Sequence, residues 1–170
     1  MQGKQLNFYK IFCTQYKNKL TKILPYYIIL QSTCVMKIEV KKLNAQKRYN
    51  GRLDFEYEPS ENSCLVPLCG IEGKVNCSAE YEIYSDDSVG IKLTVKYLLK
   101  GQCSYCLNDA QKFIEKTFDI LFVTEDDREN YIYDGISINL KTAVDDAILF
   151  SQPNILLCRE DCTGIDINNK

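Results

Sequence analysis

The chain has 170 residues, 45% of them hydrophobic, which is enough for one ordinary domain with a hydrophobic core and too few for two large ones. It contains no histidine, which excludes Ser-His-Asp and Cys-His catalytic arrangements and every histidine-ligated metal site. Residues 1–50 carry ten Lys or Arg and one acidic residue, whereas residues 51–170 carry eleven basic and twenty-two acidic residues. A basic arm on an acidic body favours contact with a polyanion through the arm, and the alternative is a solvated charge bias without a partner.

Residues 1–35 differ in character from the rest of the chain. Five lysines and no acidic residue precede the apolar stretch 23–30, which is too short for a membrane span and contains Pro25. The order of these parts is that of a secretory signal peptide, but residues 31–34 lack a good small-residue cleavage site. We therefore expect an N-terminal extension at residues 1–35, either a flexible arm or sequence upstream of a natural start at Met36. Residues 36–170 are expected to form the domain.

Alternation of apolar and polar residues predicts the strands. In chain order, extended segments are expected at residues 52–57, 64–71, 74–84, 91–97 and 113–123. Turn-forming residues 85–90 separate two of these segments, which are expected to form a long antiparallel hairpin. A helix should begin after Ile138 with Asn139 as its N-cap and end before Pro153. The predicted fold class is α+β: an antiparallel sheet with a long hairpin, one packed C-terminal helix and a four-cysteine zinc-binding loop pair.

Two close cysteine pairs, 103–106 and 158–162, give the clearest chemical signal in the chain. The first pair has two intervening residues and the second has three, and Gly101 and Gly164 flank them. Two such pairs can supply four thiolates to one tetrahedral zinc ion. The candidate metal ligands are Cys103, Cys106, Cys158 and Cys162.

Two alternatives to a zinc site remain open for these cysteines. Cys103 and Cys106 have the spacing of a redox Cys-x-x-Cys motif, but such motifs usually begin a helix after a parallel strand, whereas an antiparallel hairpin is expected here. The other alternative is a set of independent free thiols. The chain has nine cysteines, an odd number that excludes a complete set of intramolecular disulfides. A reducing, cytoplasmic location is therefore expected.

The charged residues offer one candidate binding segment and no catalytic one. The pairs 126–127 and 145–146 are adjacent aspartates, expected on the solvated surface. A basic segment with Tyr49 and Phe55 interleaved is compatible with RNA, since charge binds the phosphate backbone and aromatic rings stack on unpaired bases. The candidate RNA-binding residues are Lys37, Lys41, Lys42, Lys47, Arg48 and Arg52.

From Met36 to Gly164 the chain resembles the YceD family, the large ribosomal RNA subunit accumulation proteins of bacteria and plastids. The resemblance depends on the order of short motifs along the chain. These are Met36-Lys37-Ile38, residues 71–75, Cys103-Ser-Tyr-Cys106-Leu107, residues 113–122, an acidic loop, residues 138–140 with their helix, Pro153, and Leu157-Cys158-Arg-Glu-Asp-Cys162-Thr-Gly164.

The resemblance implies a non-catalytic, zinc-binding and RNA-binding factor in ribosome biogenesis. Such a factor supports the accumulation or maturation of large-subunit (23S) ribosomal RNA. The implied partners are that RNA or its precursor and, as a second candidate, a large-subunit ribosomal protein; no membrane partner is expected. The four cysteines named above match the family's cysteine positions, although Tyr105 stands where many members carry Arg. The alternative function is a thiol oxidoreductase that uses Cys103 and Cys106.

Overall fold

The computed structural model describes residues 36–60, 62–126 and 128–165. The expectations for residues 1–35 therefore lie outside the described residues. Among the residues described, no helix is long and apolar enough to span a membrane. The elements in chain order are β1 (Lys37–Ile38), α1 (Val40–Ala45), β2 (Asn50–Tyr57), β3 (Cys69–Ile83), β4 (Val89–Gln102), β5 (Asp109–Val123), β6 (Tyr131–Ile132), β7 (Ile138–Asn139) and α2 (Lys141–Ser151).

Strands β2 to β6 form one five-stranded sheet, in which the spatial order β2-β3-β4-β5-β6 is the same as the order along the chain. Neighbouring strands from β2 to β5 are antiparallel, as expected. Strand β6 instead pairs in parallel with the end of β5, which makes the sheet mixed rather than purely antiparallel. With only two residues, β6 is too short for an alternation signal to reveal it. Strands β1 and β7 pair separately as a small antiparallel sheet.

Strands β3 and β4 are antiparallel neighbours joined by the tight turn Tyr84–Ser88. In this turn the Tyr84 N–H donates to the Ser88 carbonyl at 2.8 Å. Their register shifts between Glu72 and Asn76, where Gly73 has a φ of +71°. Glycine accepts this left-handed conformation without strain. The extended segment expected from residue 64 is wrong in its first part, because the chain forms a loop there and β3 begins only at Cys69. Pro67 lies in this loop and lacks the N–H that a central strand would need.

One face of the sheet carries the hydrophobic core and the other faces solvent. Exposed ion pairs cover the solvent face, including Arg52 with Glu80 and Lys96 with Glu115. This arrangement confirms the period-two pattern that the sequence shows. The inward side chains that the pattern predicts for β3 and β4 are all buried: Val75, Cys77, Ala79, Tyr81, Ile83, Ile91, Leu93, Val95 and Tyr97.

Helix α2 packs on the core face and buries the side chains Ala143, Val144, Ala147 and Ile148. The expected N-cap at Asn139 is wrong by one position, because residues 138–139 pair with β1 and Leu140 occupies the N-cap. The Asn139 side chain still accepts the Lys141 N–H at 3.0 Å. Near the helix end, the Tyr97 hydroxyl lies 2.8 Å from the Ser151 hydroxyl.

The aspartate pair on α2 is half-buried rather than solvated. Asp145 accepts a hydrogen bond from the Tyr57 hydroxyl and lies 2.6 Å from the Lys141 ammonium. Asp146 accepts from the Tyr131 hydroxyl at 2.6 Å. Burial, reinforced by Asp146, raises the pKa of Tyr131 to about 12. The two carboxylates therefore fasten α2 to β2 and β6.

The substitution Asp146→Ala is expected to lower the free energy of unfolding by about 1–2 kcal/mol, because it leaves the Tyr131 hydroxyl without its acceptor. Urea denaturation measures this difference. Glu125→Ala, in an exposed loop, is the matched control and is expected to change stability by less than about 0.5 kcal/mol. Equal effects of the two substitutions would contradict a fastening role for Asp146.

Candidate metal centre

The first cysteine pair lies in the tight loop between β4 and β5. The Cys103 N–H donates to the Asn108 carbonyl at 2.8 Å, and the Leu107 N–H donates to the Cys103 carbonyl at 3.0 Å. Leu107 adopts a φ of +63°, which completes the reversal of the chain. The loop thereby holds Cys103 and Cys106 within one turn.

The second cysteine pair follows α2, in a segment that returns to this loop. The Ser104 N–H donates to the Leu156 carbonyl at 2.7 Å, and the Leu156 N–H donates to the Ser104 hydroxyl at 3.1 Å. The Leu156 side chain is fully buried in the core. The Cys162 N–H donates to the Arg159 carbonyl at 3.2 Å, which forms a turn between the two cysteines of this pair. The reciprocal bonds between Ser104 and Leu156 join the two cysteine segments directly.

The structure brings all four predicted cysteines together. Their sulfur atoms lie within 4.8 Å of one another. Cys103 Sγ lies 3.7 Å from Cys162 Sγ, and Cys106 Sγ lies 3.5 Å from Cys158 Sγ. A disulfide needs about 2.05 Å, and all four residues are free thiols. Tetrahedral coordination with metal–sulfur bonds near 2.3 Å separates the sulfurs by about 3.8 Å, so this cluster could hold a metal ion.

The four sulfurs have different surroundings. Cys103 and Cys162 are buried, Cys106 is half-buried and Cys158 is exposed. Backbone N–H groups, first that of Cys106, lower the pKa of the Cys103 thiol to about 6. Hydrogen bonding with the Cys106 sulfur raises the pKa of Cys158 to about 12. Backbone donors that favour a thiolate also favour metal binding, because a cysteine ligand must be deprotonated.

The two flanking glycines serve different purposes. Gly164 has a φ of +93°, a conformation that glycine adopts without strain. Gly101 is part of β4 and permits a close approach of the loop before β3, since a Cβ there would lie 2.3 Å from the Leu68 carbonyl oxygen.

All six candidate RNA-binding residues are exposed in the structure. Lys37 pairs with Glu39 at 3.1 Å, and Arg52 on the solvent face of the sheet pairs with Asp54 at 2.9 Å. Four of the six lie on α1 or in the turn after it: Lys41, Lys42, Lys47 and Arg48.

The two aromatic residues of this segment also differ. Tyr49 is half exposed and directly follows Arg48 in the chain, so its ring is accessible for stacking. Phe55 is buried in the core, so the expectation that it could stack on a base is wrong.

Ser104 and Leu156 are parts of the site that the sequence patterns did not predict. The available signal was the apolar run of residues 155–157 directly before Cys158, which indicates a segment anchored in the core. No family model, curated protein or solved structure matches the chain. The resemblance to the YceD family stays a prediction that depends on the motifs quoted above.

Proposed function

We propose that the protein is a non-catalytic zinc protein in which one Zn²⁺ joins the β4–β5 loop to the segment after α2. The observation that carries this proposal is the approach of four cysteine sulfurs within 4.8 Å. Thiolates are soft ligands that favour Zn²⁺ over Mg²⁺ or Ca²⁺. Four protein ligands fill a tetrahedral site, and such closed sites are structural, whereas catalytic zinc keeps one position for water or substrate.

We further propose that this zinc-stabilised domain acts in the cytoplasm in the accumulation of large-subunit (23S) ribosomal RNA. Two observations support the proposal. The first is the order of motifs from Met36 to Gly164. The second is the exposed basic segment of α1 and its following turn, which offers charge for phosphates and is followed directly by the accessible ring of Tyr49. The RNA or its precursor is the proposed partner, and a large-subunit ribosomal protein is the second candidate.

An RNA-binding measurement tests this role. The triple substitution Lys41→Glu, Lys47→Glu and Arg48→Glu is expected to weaken binding to 23S ribosomal RNA at least about tenfold. The slope of log affinity against log salt concentration should fall by about 2–3, because three phosphate contacts are lost. Filter binding across a salt series provides both values.

The matched control carries the same charge change on strands of the sheet, at three exposed lysines. These are Lys92→Glu, Lys112→Glu and Lys116→Glu. This control should bind within about twofold of the original protein. Equal losses in the two triple variants, or no binding of ribosomal RNA by the unaltered protein, would contradict the proposed interface.

A thiol oxidoreductase that uses Cys103 and Cys106 is the second candidate function. The lowered pKa of the Cys103 thiol favours it. Against it, the Cys103 side chain is fully buried, and a substrate disulfide must reach an attacking sulfur. The motif also lies between antiparallel strands rather than at the start of a helix. Turnover of a disulfide substrate that disappears in Cys103→Ser would favour this candidate.

A further inference from the structure

The cysteine cluster has a buried half and a solvent-facing half. Cys103 is fully buried and Cys162 is 8% exposed, and their sulfurs lie 3.7 Å apart. Cys106 is half-buried and Cys158 is exposed, and their sulfurs lie 3.5 Å apart. The 3.5 Å contact therefore joins the two more exposed thiols of the cluster, and it connects the two cysteine segments.

We propose that Cys106 and Cys158 form an oxidation site, at which a two-electron oxidant such as hydrogen peroxide creates a disulfide and releases the metal ion. This inference rests on the proposed zinc site and adds its regulation. A peroxide molecule reaches the exposed Cys158 sulfur from solvent without any movement of the core.

The reaction takes place in two steps that balance. In the zinc-loaded protein Cys158 is a thiolate, because a cysteine ligand must be deprotonated. This thiolate attacks one peroxide oxygen, the O–O bond breaks, and the departing hydroxide takes up a proton from solvent to become water. The Cys106 thiolate then attacks the sulfur of the resulting sulfenic acid, the S–O bond breaks, and a second hydroxide leaves and is protonated. Two thiolates lose two electrons, and the peroxide gains them and yields two waters. Cys103 and Cys162 are then the only thiolates left in the site, and two ligands no longer enclose a tetrahedral ion.

The geometry favours this pair over Cys103 with Cys106. The Cys106 and Cys158 sulfurs must close from 3.5 Å to about 2.05 Å, and the exposed segment at Cys158 can supply that movement. Both backbone polar groups of Cys103 are hydrogen-bonded: its N–H donates to the Asn108 carbonyl, and its carbonyl accepts from the Leu107 N–H. These bonds restrict the movement of Cys103. Its buried sulfur is also shielded from an oxidant in solution.

The disulfide would take over from the metal ion as the covalent or coordinate link between the two cysteine segments. It links residues 52 positions apart, so it restricts the unfolded chain considerably. The oxidised, metal-free protein is therefore expected to melt at least about 5 °C above the reduced, metal-free protein. Oxidation releases the ion while the fold remains intact.

The test uses the zinc-loaded full chain, treated with one equivalent of hydrogen peroxide, alkylated and digested. Trypsin cleaves after Arg159 and chymotrypsin after Tyr105, so the four cysteines fall on four different peptides. Mass spectrometry is expected to find Cys106 linked to Cys158, and a chromogenic chelator should detect about one zinc ion released per disulfide. Cys64→Ser, a half-buried cysteine outside the cluster, should react identically. Cys106→Ser should not form the linked peptide.

The outcomes separate this inference from the proposed function. A reduced protein that holds zinc, but yields mainly a Cys103–Cys106 disulfide or no disulfide, overturns the inference and leaves the zinc site standing. Zinc release without a linked peptide also overturns it. A reduced protein that carries no zinc overturns the proposed function, and the inference with it, because no ion is there to be released.

Discussion

Replacing Cys106 by serine is expected to abolish stoichiometric zinc binding and to lower the free energy of unfolding by about 3 kcal/mol or more. The ion would connect two segments of chain whose cysteines lie 52 positions apart, so its loss removes a long-range link from the folded state. Metal binding that requires the folded site contributes its free energy directly to folding. Elemental analysis measures the zinc, and urea denaturation measures the stability.

The matched control is Cys64→Ser, which changes a half-buried thiol outside the cluster in the same chemical way. Its free energy of unfolding should stay within about 1 kcal/mol of that of the unaltered protein. A strong zinc chelator added to the unaltered protein should reproduce the effect of Cys106→Ser, and it should have no further effect on that variant. Identical midpoints for the two serine variants would contradict a stabilising metal site.

Leu156→Ala is expected to destabilise the protein by about 2–5 kcal/mol, the usual cost of truncating a fully buried leucine. The substitution should also weaken zinc binding, because Leu156 lies two positions before Cys158 and its backbone holds Ser104 in the other cysteine segment. Urea denaturation with and without a chelator separates the two effects. The stability difference should be larger for the zinc-loaded protein than for the metal-free protein.

The neighbouring Ile155→Ala provides the control for this prediction. Its side chain is 40% exposed, so truncation should cost less than about 1 kcal/mol and leave zinc binding unchanged. If Ile155→Ala proved as damaging as Leu156→Ala, the anchoring role assigned to Leu156 would be wrong.

Strong period-two patterns made most of the sheet predictable. In β3 and β4 each inward position from Val75 to Tyr97 alternates with a polar or exposed one, and the turn residues between them are unambiguous. Elements of two residues could not be predicted, because β1, β6 and β7 depend on pairing with distant partners rather than on a local pattern. For the same reason, residues 138–139 were expected to open the helix and instead pair with β1.

The sequence predicted which residues form the candidate site, but it did not predict the environment of each sulfur. Spacing alone selected Cys103, Cys106, Cys158 and Cys162, because the chemistry of a thiolate site imposes short intervals between ligands. The order of burial among the four sulfurs depends on how two distant segments meet, which a linear pattern does not contain. Similarly, Phe55 lies on the face of the sheet that packs into the core, and Asp146 lies on the face of α2 that contacts β6. Tertiary packing determines both environments, so a local sequence pattern could not predict them.

The ratio of zinc to protein is the most direct test of the account. Protein purified without chelators, under reducing conditions, should contain one zinc ion per chain by elemental analysis. Cys158→Ser should reduce that ratio to near zero. Unaltered protein with no zinc and no other metal bound at the four thiolates, and a melting temperature that added zinc does not change, would contradict the central claim.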